Sequence, residues 1–96
     1  MSDYKPKIYI SGGISNNPDY KKQFTQKHTE LENQGYRVLS PLFINADLSW
    51  KEYMRIDLAM ISICDVVYMM KGWETSRGAC IEEFYAQYKH LEIIYE

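Results

Sequence analysis

The chain has 96 residues and a formal net charge of −2 at pH 7, which leaves room for one domain and gives no basic surface for nucleic acid. Its two cysteines fall outside any CxxC or Cys/His spacing, so we expect neither a zinc site nor a disulfide framework. No run approaches the roughly 20 apolar residues of a membrane helix, and the opening residues do not fit a signal peptide. We therefore expect one soluble cytoplasmic domain over residues 1–96, without metal, cofactor or membrane partner.

The first predicted elements are a strand and a helix. Residues 7–11 (KIYIS) form a short β-branched and aromatic run that ends at Gly12 and is typical of a strand followed by a tight turn. Asn17 followed by Pro18 predicts an N-cap and a first helical residue. The helix that follows is expected to end at Gly35.

The second strand–helix unit comes next. Residues 36–40 (YRVLS) predict a strand that Pro41 ends, and the following residues to 48 predict a connecting loop. Ser49 is a suitable N-cap for a helix over residues 50–64.

The last elements repeat the pattern. Residues 65–70 (DVVYMM) are almost wholly apolar, as expected for a strand covered on both faces. Thr75 or Ser76 is expected to begin a helix that runs to about Lys89, and residues 91–95 (LEIIY) predict a final strand.

Strand and helix alternate three times before the closing strand, which predicts an α/β fold with a parallel sheet. We expect a single-domain, Rossmann-like (flavodoxin-like) three-layer sandwich with the strand order 2-1-3-4. The switch point then lies between the first and third strands, and ligands bind beyond the carboxyl ends of strands there. The turns SGG (11–13) and KGWETSRG (71–78) follow those two strands and are expected to meet in one crevice.

The second predicted helix carries a carboxylate on its apolar stripe. The stripe consists of Trp50, Met54, Asp57, Ile61 and Cys64. An aspartate there costs several kcal/mol unless it is paired or hydrogen-bonded. It is therefore either a boundary residue paired with a base such as Arg55, or a carboxylate that faces the crevice.

The third predicted helix places small residues around Glu82, since Gly78, Ala79 and Ala86 are its helical neighbours. These neighbours leave space around the carboxylate, and we expect the helix dipole to keep it ionised. Glu82 is therefore either a solvated glutamate of the first turn or a nucleophile for an anomeric carbon. Glu83 is expected to point toward solvent or a partner subunit.

Three segments together carry a resemblance to a known family: IYISGG (8–13), WKEYMRIDLAMISICD (50–65) and GWETSRGACIEEFYA (72–86). They resemble a small phage and bacterial domain family related to the nucleoside 2-deoxyribosyltransferases, and the similarity runs from Lys7 to Ile94. Related enzymes include the deoxynucleoside 5′-monophosphate N-glycosidases. The resemblance implies a bacterial or phage-infected cytosol as the location.

The resemblance implies roles for particular residues. Glu82 matches the family's nucleophile, and Tyr9 matches the tyrosine that steadies this carboxylate. Asp57 matches an aspartate close to the scissile bond, with Asp65 as a second, structural member of the pattern. Ser76 matches a serine that contacts phosphate in the monophosphate enzymes, where the free-nucleoside transferases carry an acidic residue.

Substrate contacts are expected from the two turns and two tryptophans. The candidates are Ser11, Gly12, Gly13, Trp50, Gly72, Trp73, Ser76 and Gly78. A helix N-terminus with Ser76 and the neighbouring Arg77 suits a phosphate. The resemblance departs at Gly13, where the monophosphate enzymes carry a serine, so one phosphate-contacting hydroxyl is missing unless Ser11 or Ser15 replaces it.

Three functions remain open from the sequence. The first is cleavage or transfer of the N-glycosidic bond of a deoxyribonucleoside 5′-monophosphate, with Glu82 as nucleophile and Asp57 as proton donor. The second is a nucleotide-binding module without turnover, and the third is a structural adaptor. Fourteen aromatic residues and a sheet with exposed edges predict a homodimer or larger homo-oligomer.

Overall fold

The computed structural model describes residues 4–15 and 17–96, and these contain four strands and three α-helices. The strands are β1 (Lys7–Ser11), β2 (Arg37–Leu39), β3 (Val66–Met69) and β4 (Glu92–Tyr95). The α-helices are α1 (Tyr20–Asn33), α2 (Trp50–Ser62) and α3 (Arg77–Tyr88). Short 3₁₀ turns at Pro41–Phe43 and Trp73–Thr75 precede α2 and α3. The first of them interrupts the segment predicted as a loop, because the Ser40 hydroxyl caps it.

All strand pairs are parallel, and their order is β2-β1-β3-β4. The predicted α/β fold and strand order are therefore confirmed. In the register of the sheet, Tyr9 of β1 lies between Leu39 of β2 and Val67 of β3. The carboxyl ends of β1 and β3 are thus neighbours, so the turns that follow the two strands lie side by side at the same end of the sheet.

Side chains alternate between two hydrophobic clusters, one on each face of the sheet. The cluster against α1 consists of Ile8, Ile10, Phe24, Leu31, Val38, Val66, Tyr68 and Met70. The cluster against α2 and α3 consists of Tyr9, Ile61, Cys64, Val67, Met69, Ala79 and Ala86. The sheet is therefore the middle layer of a three-layer sandwich.

The N-termini of α2 and α3 are both capped by serines, as predicted. Ser49 Oγ accepts from the backbone N–H of Glu52, and the Glu52 carboxylate accepts from the backbone N–H of Ser49, which completes a capping box. Ser76 Oγ accepts from the backbone N–H of Ala79 at 3.2 Å. These caps fix the starts of the two helices that border the crevice.

The predicted start of α1 is wrong. Asn17 accepts a hydrogen bond from the backbone N–H of Asp19, so it closes a turn instead of capping the helix. Asp19 occupies the N-cap without a side-chain cap, and the helix begins at Tyr20. Within the described ranges, no helix has the length and apolar character needed to cross a membrane.

Candidate active site

Four buried polar side chains meet on the α2/α3 face of the sheet. They are Tyr9 and Ser11 from β1, Asp57 from α2 and Glu82 from α3. Tyr9 and Ser11 are two residues apart on one strand, so their side chains leave the same face. The exposed fraction is 6% for Asp57 and 3% for Glu82. Buried polar groups at this density are costly, which marks the cluster as the candidate active site.

Glu82 accepts hydrogen bonds from both hydroxyl groups of β1. Ser11 Oγ donates to Oε1 at 2.6 Å, and Tyr9 Oη donates to Oε2 at 3.2 Å. Each carboxylate oxygen therefore has its own donor, which fixes the plane of the carboxyl group. The Tyr9 contact is the one that the family resemblance implies.

Asp57 is less well satisfied than Glu82. Its Oδ1 atom is buried and has no hydrogen-bond partner among the described residues. The ion pairs found in the described part of the chain do not include Asp57. The alternative of a boundary aspartate in an ion pair with a basic side chain such as Arg55 is therefore not supported. A buried carboxyl oxygen without a partner in the protein is a position where a ligand can complete the hydrogen bonding.

The two carboxyl groups influence each other's ionisation. Burial raises the pKa of Glu82 well above its usual value; the Ser11 hydroxyl opposes this shift, and the nearby Asp57 adds to it. Burial also raises the pKa of Asp57, while its contacts with Glu82 and Tyr9 lower it. Two carboxyl groups this close titrate as one unit and do not readily ionise together.

The two turns after β1 and β3 come together above this cluster. A Cβ atom added to Gly13 would lie 3.5 Å from Ser76 Cβ, which is ordinary contact and shows how close the turns are. A Cβ atom on Gly12 would lie 2.9 Å from Met70 Cβ and 3.3 Å from Phe24 Cζ, so this glycine is required by packing. The predicted meeting of the turns is therefore seen.

The N-terminus of α3 lies at the same edge. Because Ser76 Oγ accepts from Ala79, the hydrogen of its hydroxyl remains available as a donor. The backbone amides of Arg77 and Gly78 occupy the first turn of the helix, where N–H groups have no intrahelical acceptor. The N-terminus of α3 therefore offers three hydrogen-bond donors, the Ser76 hydroxyl and two backbone amides.

The two tryptophans occupy different settings. Trp50 is 41% exposed, and the guanidinium of Arg77 lies 4.6 Å from its ring centroid. Trp73 is half-buried, and its ring packs against Tyr95 with centroids 5.9 Å apart. Gly72, just before Trp73, has φ +85°, a conformation that glycine adopts without strain. A base that stacks on the face of Trp50 covered by Arg77 would need to displace the guanidinium, whereas the ring of Trp73 already packs against Tyr95.

Two expectations about Glu82 need correction. Glu82 lies in the second turn of α3 and is buried, so it is not a solvated first-turn glutamate. Its pKa is raised by burial, whereas the dipole argument predicts an ionised group. The contact of Ser11 with substrate stays a prediction, and the structure adds that its Oγ donates to Glu82. The alternation of β1 contains this signal, because Ser11 is on the same face as Tyr9.

Asp65 lies at the amino ends of β1 and β3, away from the turns that follow these strands. It accepts hydrogen bonds from the Tyr4 hydroxyl and from the backbone N–H of Lys7, so it anchors the start of β1 as a structural residue. A groove of about 480 Å³ lies against α1, on the other face of the sheet, and is lined by Lys27, Met70 and Glu96 among others. Asp57 and Glu82 are not among the residues that line this groove.

The chain belongs to the family described as "Domain of unknown function (DUF4406)", which matches residues 6–95. Among solved structures, it is similar to a chain described as "2-desoxiribosyltransferase from Leishmania mexicana", with a TM-score of 0.75 and 19% sequence identity. The alignment covers 94% of this chain and 63% of that one, so this chain spans less than two thirds of its neighbour's length. No curated protein matches. The likeness establishes a shared fold.

Proposed function

We propose that this protein cleaves or transfers the N-glycosidic bond of a deoxyribonucleoside 5′-monophosphate. The observation that carries the proposal is the buried Glu82 carboxyl group, which is held by two hydroxyl donors beside a second carboxyl group. A pair of carboxyl groups is the machinery that glycosidic bond cleavage requires. The fold shared with a protein described as a 2-desoxiribosyltransferase supports the same class of chemistry.

In the proposed reaction, a Glu82 oxygen attacks the anomeric carbon and the bond from that carbon to the base nitrogen breaks. Asp57 gives its proton to the departing base. A water molecule then hydrolyses the glycosyl–enzyme ester, or a second base accepts the sugar. In both outcomes the proton of the water or of the second base passes to Asp57, and the Glu82 carboxylate is regenerated without a cofactor.

The proposal requires the shared proton to lie on Asp57 while Glu82 is ionised. The hydrogen bonds that Ser11 and Tyr9 donate to Glu82 stabilise its charged form, against burial and the neighbouring Asp57, which both raise its pKa. Asp57 Oδ1 has no donor in the described part of the chain. A leaving base nitrogen near this atom would complete its hydrogen bonding.

Ser76 supports a 5′-monophosphate as the substrate rather than a free nucleoside. Its hydroxyl hydrogen and the amides of Arg77 and Gly78 form a cluster of donors at the N-terminus of α3. The positive end of the helix dipole adds to this preference for an anion. Gly13 lies against Ser76 and leaves the approach to these donors free of a side chain.

The test is chromatographic detection of free base released from a panel of deoxynucleosides and their 5′-monophosphates, with and without a second base as acceptor. We expect release from monophosphates by the wild type and none by Glu82→Gln. Glu83→Gln is the matched control, because it neutralises the adjacent carboxylate, which hydrogen-bonds with Tyr95 and Gln87. Release that survives Glu82→Gln would contradict the proposal.

A second function is favoured by the burial of the site. Glu82 is only 3% exposed and its pKa is raised, and both features suit a neutral buried acid better than a nucleophile. A protein that binds nucleotides without turnover would show these properties. Saturable binding of a monophosphate without base release, unchanged in Glu82→Gln, would select this binding-module function. If no nucleotide binds, the remaining hypothesis is that the protein is a structural adaptor.

We also propose that the protein self-associates. Several large apolar side chains are solvent-exposed, and they include Phe84 and Tyr88 on the outer surface of α3. A homo-oligomer would cover this surface.

A further inference from the structure

Trp50 and Arg77 pair across the N-termini of α2 and α3. Both helices follow strands of the same parallel sheet and so run in the same direction. Trp50 is the first residue of α2 and Arg77 is the first residue of α3, and the guanidinium lies 4.6 Å from the indole centroid. The contact bridges the two N-termini.

The next layers lead directly to the carboxylates. A Cβ atom added to Gly78 would lie 3.3 Å from Met54 Sδ and 3.9 Å from Trp50 Nε1, so this glycine lets the helices approach closely. Met54 and Gly78 each lie one turn before a cluster residue, namely Asp57 on α2 and Glu82 on α3. Along the two helices from their N-termini, the pairs therefore come in the order Trp50 with Arg77, Met54 with Gly78, and Asp57 with Glu82.

We infer that this pair is closed in the free protein and that a nucleotide opens it by exchange: the base takes the place of Arg77 on the Trp50 ring, and Arg77 turns to the 5′-phosphate. The inference rests on the proposed function and adds a binding step to it. The unpartnered Asp57 Oδ1 beneath the pair is an independent indication that a ligand enters here.

The strengths of the competing contacts favour the exchange. An exposed cation–π contact stabilises the closed pair by roughly two- to fivefold. Stacking of a base on an aromatic side chain stabilises binding by roughly five- to 150-fold. None of the ion pairs found among the described residues involves Arg77, so its charge is available for a phosphate oxygen next to Ser76.

A free nucleoside gains less from the same exchange. Its base still has to displace Arg77, but a nucleoside has no phosphate with which the displaced guanidinium could form a new ion pair. The pair therefore acts as a selectivity device that discriminates against ligands without a phosphate. Removal of the Arg77 charge should weaken monophosphate binding and tighten nucleoside binding.

The experiment measures binding by calorimetry in the Glu82→Gln background, so that no ligand is consumed. We expect Arg77→Gln to weaken binding of a deoxynucleoside monophosphate at least tenfold and to tighten binding of the matching nucleoside roughly two- to fivefold. Arg55→Gln is the matched control, since it removes an exposed cation of α2 and should change neither affinity.

Tryptophan fluorescence supplies the second readout. The chain has two tryptophans, so a ligand-dependent change in emission that is present in the wild type and absent in Trp50→Phe belongs to Trp50. Equal weakening of both ligand types by Arg77→Gln, or a Trp50 emission that stays constant at saturating monophosphate, would overturn the exchange.

The two proposals fail in different ways. Base release by the wild type without the selectivity change in Arg77→Gln would leave the proposed function intact and reject the exchange alone. If no nucleotide binds to the Glu82→Gln variant and the wild type releases no base, both proposals are rejected. Binding without release would retain the exchange on a non-catalytic module.

Discussion

Ser11 stands out among the residues of the site because its short hydroxyl contact is directed at the carboxyl group and not at the turn that follows it. At 2.6 Å, it is closer to Glu82 than the Tyr9 hydroxyl at 3.2 Å. Its hydrogen bond lowers the pKa of Glu82 against the larger effect of burial. Ser11 is therefore the residue that most favours the ionised form of Glu82, the form that the proposed reaction requires.

This gives a prediction for Ser11→Ala. A hydrogen bond to a charged group is worth about 1.5–3 kcal/mol, so the rate of base release should fall roughly 10- to 100-fold. The pKa of Glu82 should rise further, and the pH profile of the rate should move to higher pH. Ser62→Ala, which removes an exposed hydroxyl at the C-terminal end of α2, is the control. A lower rate with an unchanged pH profile would assign Ser11 a structural role only.

The raised pKa of Glu82 also predicts how stability depends on pH. The folded protein binds this proton more tightly than the unfolded chain, so the contribution to stability is complete below the ordinary carboxyl pKa of 4.5 and is lost as pH rises through the raised pKa. Glu82→Gln keeps the shape without the charge. The wild type should lose unfolding free energy between roughly pH 5 and pH 8, and Glu82→Gln should not lose this contribution. Urea titrations of both proteins at the two pH values measure the difference.

Glu83→Gln provides the comparison on the same helix, because this carboxylate is outside the buried cluster. Its pH dependence should follow that of the wild type. If Glu82→Gln has the same pH dependence as the wild type, the carboxyl group is not buried in solution as it is in this structure.

The sequence allowed some of these residue environments to be predicted and not others. Asp57 was recognisable because a carboxylate interrupted a helical stripe of apolar residues. The small neighbours of Glu82 suggested space around it, but burial depends on how α3 packs against α2 and β1. The Ser11–Glu82 contact joins residues 71 positions apart, and neither residue carries a local signal for the other.

Elements were predictable where short-range chemistry determines them. Ser49 and Ser76 cap helices because their hydroxyls accept from amides three residues later, a pattern visible in the sequence. The start of α1 was not predictable in this way, because Asn17 can cap a helix or close a turn. The structure adopts the turn, in which Asn17 also donates to Gln23.

The turn after β1 yields a prediction about neighbouring glycines. Gly12→Ala would bring Cβ to 2.9 Å from Met70 Cβ, which cannot rotate away, so we expect a loss of about 1–3 kcal/mol in unfolding free energy. Gly13→Ala meets only Ser76 Cβ at 3.5 Å and should change stability by less than about 0.5 kcal/mol. Urea unfolding of the two variants checks this difference; equal losses would contradict the packing.

Gly13 also allows a test of binding that is separate from stability. It adjoins the donors at the N-terminus of α3, at the position where the resemblance implies a phosphate-contacting serine. We expect Gly13→Ser to tighten monophosphate binding and Gly13→Ala to leave it unchanged, while both urea midpoints stay at the wild-type value. An affinity that Gly13→Ser does not change would place the phosphate elsewhere.

At the scale of the whole molecule, the parallel sheet ends in two unpaired edges, β2 and β4, and α3 exposes two aromatic rings on its outer surface. Phe84 and Tyr88 are 71% and 72% exposed and lie one turn apart. Exposed aromatic residues of this size are typical of interfaces. The outer surface of α3 is therefore the part of the molecule for which self-association is most strongly expected.

The corresponding prediction is that the wild type sediments as a dimer or larger species at micromolar concentration, and that Phe84→Ser with Tyr88→Ser shifts it to the monomer. Both side chains are exposed, so their replacement should cost little stability in the monomer itself. Ile63→Ser, which removes an exposed apolar residue at the C-cap of α2, tests whether the effect is specific to α3. A wild type that sediments only as a monomer would exclude self-association, whereas dissociation by Ile63→Ser alone would move the interface to α2.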